Sequence, residues 1–168
     1  MLVTRSPELE QLAADGRQAA DRRDEEWRAQ HTADGEVVSF GSDPQEIWRG
    51  RDAVLGLTSA QVNEVNDSFG LKYEQDSVEG YEAGDAGFVI IHGRFLLADG
   101  SSFPTRAVNF LVKDGDQWQS VCGGLSLLVR NELMTAGSPL AETAGPAQRR
   151  SHARAAFPNT GPDEPRLA

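Results

Sequence analysis

The 168-residue chain sets 26 Asp and Glu against 16 Lys and Arg, a formal charge of -10 with a sequence pI near 4.7. That field repels phosphate, which disfavours nucleic acid or an anionic membrane as partner, and the length fits one domain. A single cysteine, Cys122, excludes an internal disulfide and a multi-cysteine zinc site; with no run of 18 apolar residues and no apolar leader, the expectation is a soluble cytoplasmic protein.

Ser6-Pro7-Glu8-Leu9 holds an N-cap residue, a proline at the first helical position and an acid in the first turn, the signals that start a helix. Leu9, Leu12, Ala13, Gly16, Ala19, Ala20 and Trp27 then recur near the helical period, which predicts a helix over 7–31 with a break at Gly16. Residues 36–40 and 46–49 read as short strands on either side of an Asp43-Pro44 turn. Val54, Leu55, Leu57, Val62 and Val65 are spaced for an amphipathic helix over 51–65, against a cost of about 1 kcal/mol for Gly56.

After Gly70 the apolar period shortens to two. Runs at 71–81, 88–97, 103–112 and 118–129 are separated by Ala83-Gly84-Asp85, Asp99-Gly100 and Lys113-Asp114-Gly115-Asp116, and the Asp-Gly pairs favour hairpin turns. Four long antiparallel strands are expected. Past Met134 lie five of the eight prolines, with Leu140, Phe157 and Leu167 as the only bulky apolar residues. Such a stretch buries too little apolar surface to offset its ordering entropy, so a domain over 1–134 and a flexible tail over 135–168 are expected.

Alternate residues of a strand share a face, which sorts the candidate chemistry. Arg106 keeps step with Val108, Phe110 and Val112; if that face is the core, Arg106 is a clamp for a carbonyl or an anion, and otherwise it is a sheet-edge or interface arginine. His92 keeps step with Phe88, Ile90 and Arg94 and is the natural general base, or else a surface residue, because 88–91 is apolar on both faces. His31 follows Trp27 by one turn and either faces a cavity mouth or bonds the last carbonyls of its helix. Trp48 and Trp118 offer apolar area and an N–H to a pocket wall, or pack in the core. Tyr73 and Asn109 orient a ligand or face solvent. Cys122 lines the pocket or packs as a small buried thiol, since a nucleophile would need a base beside it. His31 and His92 lack zinc-ligand spacing, and no Gly-x-Gly-x-x-Gly, Walker A or Gly-x-Ser-x-Gly pattern occurs, so neither a metal nor a nucleotide cofactor is expected.

A helix, a hairpin around Gly41-Ser42-Asp43-Pro44 and Trp48-Arg49-Gly50, a second helix, and four hairpin-linked strands with Gly115-Asp116-Gln117-Trp118 before the last together resemble the SnoaL-like branch of the NTF2-like superfamily over 9–129. The resemblance implies an α+β cone, a curved antiparallel sheet wrapped around N-terminal helices with one apolar cavity, and a homodimer formed through the sheet. Similar proteins include ketosteroid isomerases, scytalone-type dehydratases, epoxide hydrolases, aldol-type polyketide cyclases and non-catalytic binding modules, so the fold alone does not choose an activity. The place of the isomerases' catalytic Asp falls at Phe40 or Gly41, and their oxyanion donors fall near Gly16 and Val108. The cyclases' last-strand His positions fall at Cys122 and Gly124. None of these carries the family's side chain, and Gly123 with Gly124 is expected to widen the cavity.

Two functions follow. One is a cofactor-free isomerase, cyclase or lyase acting on a small apolar, carbonyl-bearing metabolite, with His92 as acid or base and Arg106 stabilising developing negative charge. The other is a non-catalytic dimeric binding or accessory module. In either, the outer sheet face, with Ile91 or Val121 on it, needs the cover of a second copy.

Overall fold

Ser6 starts α1 (Pro7–Arg22) as its sequence predicts: its hydroxyl accepts from Leu9 N, Pro7 follows, and Glu8 and Glu10 occupy the first turn, where the helix dipole favours them. The computed structural model describes residues 2–42, 45–57, 67–68 and 70–128. The Asp43-Pro44 turn, the expected helix beyond Leu57 and the tail over 135–168 lie outside the described residues.

The expected break at Gly16 is corrected. α1 runs through Gly16 and ends at Arg23, which takes a left-handed φ of 55°. Asp24 then caps α2 (Glu25–Gln30), its carboxylate accepting from Trp27 N at 2.9 Å. Gly16 serves packing instead: a Cβ there would meet the Trp27 ring at 3.0 Å, so the missing side chain lets α2 fold back against α1.

β2 (Val38–Phe40) and β3 (Ile47–Arg49) form the short hairpin, and α3 (Arg51–Gly56) follows. β4 (Lys72–Ala83), β5 (Ala86–Leu96), β6 (Ser102–Asp114) and β7 (Gln117–Leu127) are the four long antiparallel strands. A two-residue β1 (Thr4–Arg5) adds to the β4 edge, which sequence periodicity gives no means of seeing. The curved sheet runs β1-β4-β5-β6-β7-β2-β3, and β2 lies parallel to β7.

Two irregularities decide which side chains face inward. Phe110 pairs with Cys122 but Leu111 pairs with Ser120, so Val121 is an extra residue in β7. Gln75 pairs with Gly93 but Ser77 with His92, so Asp76 is extra in β4. Such bulges bend a strand and reverse its in–out alternation. Trp118 and Ser120 therefore share the inner face with Val121 and Gly123 beyond the bulge, while Cys122 turns outward.

α1 lies across β4 and β5, and the core forms beneath it: Leu9, Val89, Leu111 and Trp118 are buried together, with Leu12, Ala13 and Ile91 against them. Ile91 and Val121 thus face inward, which corrects their expected place on the outer face. No described helix is long and apolar enough to cross a membrane.

Candidate functional site

Between α1, α2 and the inner sheet face lies a cavity of about 480 Å³. Its walls are mainly apolar, with Leu12, Ala13, Val89, Ile91, Phe95 and Leu125 among them, and its polar lining includes Arg17, Arg28, His31, Tyr73, Gln75 and Asn109. A second lobe of about 730 Å³ runs under Phe40, Trp48, Leu71, Phe103 and Leu127. The two lobes share Ser39, Phe95, Ala107, Asn109, Gly123 and Leu125 as a common wall.

His31 stands at the end of α2. Its ring stacks on Trp27 with centroids 4.0 Å apart, and Nδ1 lies 2.7 Å from Trp27 O. A carbonyl oxygen only accepts, so Nδ1 carries the hydrogen, and Nε2 is the nitrogen left to accept or donate a proton. Both alternatives read from sequence hold at once: His31 bonds a carbonyl of its own helix and lines the cavity.

Tyr73, at the start of β4, lies over Gly93 of β5, where a Cβ would come within 2.6 Å of its Cζ. Phe95 meets its ring edge-on at 5.2 Å, and the Arg17 guanidinium sits 5.1 Å from the ring centroid. Asn109 of β6 packs against Gly123, and no described residue hydrogen-bonds its carboxamide. The space above Gly124 is filled by the Phe40 ring. The two glycines therefore admit Asn109 and Phe40 instead of widening the cavity.

Trp48 lines the second lobe, whereas Trp118 is 4% exposed within the core, its indole N–H without an acceptor among the described residues. His92, Arg106 and Cys122 are placed on the outer face. His92 pairs with Arg106 in register, and Cys122 with Phe110. The His92 charge acts on Glu79, also on that face, whose carboxyl is held below its ordinary range first by the Tyr81 hydroxyl and then by Arg5 and His92. The inward orientation expected of Arg106 is corrected, because Ala107, Asn109 and Leu111 are the β6 residues that meet the cavity. His92 yields to Val89, Ile91 and Phe95 for the same reason.

Arg17, Arg28 and Gln75 escape the sequence reading. Arg17 falls one turn after Ala13 and Arg28 directly after Trp27, so both border the apolar stripe, but Arg in a charge-rich helix reads first as a solvated residue. Among the described residues no three of His, Cys, Asp and Glu group as metal ligands.

Helices held inside a curved, unclosed, mainly antiparallel sheet, with a cavity between them, define an α+β protein of the cystatin-like, NTF2-like class. Residues 9–130 match the SnoaL-like domain, and the chain belongs to that family. An NTF2-like protein of unknown function from Pseudomonas putida KT2440 superposes with a TM-score of 0.62 at 20% identity, over 77% of this chain and 94% of that one. An NTF2-like protein with a cystatin-like fold from Novosphingobium aromaticivorans gives 0.61 at 16% identity, over 77% and 85%. A candidate dehydratase of the NTF2-like family from Streptomyces avermitilis gives 0.56 at 17%, over 72% and 96%. At these identities the likeness shows the fold alone. No curated protein matches the chain.

Proposed function

We propose that the cavity takes a small, largely apolar, carbonyl-bearing metabolite and that His31 moves a proton on it, as in an isomerisation, cyclisation or elimination without a cofactor. The observation that carries this reading is the pinned imidazole: Trp27 O fixes its tautomer and leaves Nε2 as the acceptor on the only histidine lining the cavity among the described residues. Tyr73 and Asn109 supply donors for a carbonyl oxygen where charge develops. The role assigned from sequence to His92 passes to His31, because a base must reach the proton it takes. The likeness to a candidate dehydratase is in keeping with this reading.

The non-catalytic reading keeps the cavity and is favoured by one feature, that among the described residues no Asp or Glu lines the first lobe. Native mass spectrometry of the purified protein, set against its denatured mass, tests the ligand shared by both. A stoichiometric small-molecule adduct is expected; bare protein that also takes up no added apolar ketone overturns the cavity reading.

We further infer that a second copy covers the outer sheet face. Phe110 and Val112 are 48% and 37% exposed there, and Tyr81, Phe88, Phe110 and Cys122 follow one another in register across four strands. Glu79, His92 and Arg106 give this row a polar border, the pattern of an interface rim. Phe110→Asp is expected to convert a dimer to a monomer by light scattering without lowering the melting temperature of the monomer. A wild-type monomer at micromolar concentration would overturn the inference.

A further inference from the structure

In a chain of net charge -10, the first lobe is lined, among the described residues, by Arg17, Arg28 and His31 and by no acid. The two arginines are not equivalent. Arg17 forms an ion pair with Asp21 and lies over the Tyr73 ring, so its charge is answered within the protein. Arg28 has five N–H donors, as any guanidinium does, and among the described residues its one acceptor is Leu55 O, at 3.1 Å. It forms no ion pair among them. Burial lowers its pKa, and Glu25 on the same helix opposes that only at a distance, yet a guanidinium stays charged wherever a protein is folded.

A half-buried cation with unused donors facing a mainly apolar cavity leaves its desolvation unanswered until an anion arrives. We propose that the molecule held in this cavity is an apolar carboxylic acid, with its carboxylate taken by Arg28. The inference rests on the cavity-ligand reading above and narrows its substrate class. The planar fork of a guanidinium matches two oxygens of a carboxylate or of a phosphate, but one cation without an ion pair among the described residues balances a carboxylate and leaves the second charge of a phosphate dianion unanswered in a mainly apolar lobe. The competing structural role is a cap on α3, since Leu55 lies in its last turn, but that role occupies one N–H and does not explain the orientation toward the cavity.

Three probes of one shape test it: 2-naphthoate, the neutral ketone 2-acetonaphthone, and 2-naphthyl phosphate, each titrated into the full chain by calorimetry at one fixed salt concentration. The wild type is expected to bind 2-naphthoate roughly tenfold or more tightly than the ketone, as a charge-assisted pair predicts. Arg28→Gln is expected to abolish that preference while leaving the Kd for the ketone unchanged. Arg28→Lys, which keeps the charge but loses the fork, is expected to retain part of the preference and serves if the Gln variant does not fold. Equal affinity for naphthoate and ketone overturns the carboxylate and leaves the apolar cavity standing. Tighter binding of the phosphate also overturns it. Failure of all three to bind removes the cavity reading, and this inference with it.

Discussion

Leu9→Ala is expected to lower the free energy of unfolding by about 2–5 kcal/mol, the cost of emptying a fully buried leucine site that cannot collapse. The backbone around Leu9 explains why it cannot. A Cβ on Gly87 would fall 2.5 Å from Leu9 Cδ1, and one on Gly80 would fall 3.0 Å from Leu9 Cβ and 2.6 Å from Ser6 O. Leu9 is thus seated over two glycines on neighbouring strands, at backbone-to-backbone distance, while Ser6 N donates to Gly80 O at 2.9 Å and fixes the start of α1. Neighbouring side chains cannot swing into the gap, because at those two positions there are none. Against a typical domain stability of about 5–15 kcal/mol the loss is large. Urea denaturation reads it directly, with Leu2→Ala, 79% exposed, as the control expected to stay within about 0.5 kcal/mol. A Leu9→Ala midpoint matching wild type would mean that α1 does not dock on β4 and β5 as described. Because α1 also carries Arg17 into the cavity, loss of docking is expected to weaken ligand binding before it unfolds the sheet.

Much of this architecture is readable from residue pattern, and the failures have identifiable causes. Ser6-Pro7-Glu8 marks the start of α1, and the shift to a two-residue period after Gly70 locates four strands whose Asp-Gly turns sit where the hairpins close. The helix break was readable too: Asp24-Glu25-Glu26 is an N-cap with acids in the first turn, a stronger signal than one glycine inside an apolar stripe. The faces were not readable. A single extra residue, Val121 in β7 or Asp76 in β4, reverses the alternation on which parity depends, and 88–91 is apolar on both sides because one face meets the core while the other carries Phe88 and Ile90 beside Phe110. For that reason parity points to His92 and Arg106, whereas the cavity is lined by His31 and Arg28. Arg28 has no signal of its own in sequence, since the role proposed for it rests on the lack of an acid opposite it among the described residues, which only the assembled cavity reveals.

His31→Gln is expected to slow proton abstraction by roughly 10²–10⁴-fold, the usual contribution of a positioned acid or base, with ligand affinity little changed. The exchange of the deuterated carbon next to the carbonyl of 2-tetralone, followed by NMR, isolates this step without requiring the natural substrate. Gln is the informative replacement because its amide still reaches a hydrogen-bond partner but offers no basic nitrogen at neutral pH. The geometry ties the effect to one atom: Nδ1 is committed to Trp27 O, the ring is stacked on Trp27, and Nε2 is the remaining acceptor. His92→Gln is the decisive companion. On the outer face beside Glu79 and opposite Arg106 it has no route to a ligand in the cavity, and its exchange rate is expected to match wild type. A loss of rate in His92→Gln with His31→Gln unaffected would reverse the assignment and make the outer face, in an assembled dimer, the reactive surface. Exchange no faster than in buffer, together with measured binding of 2-tetralone, would leave the cavity as a binding site and make His31 a helix-capping residue that happens to line it.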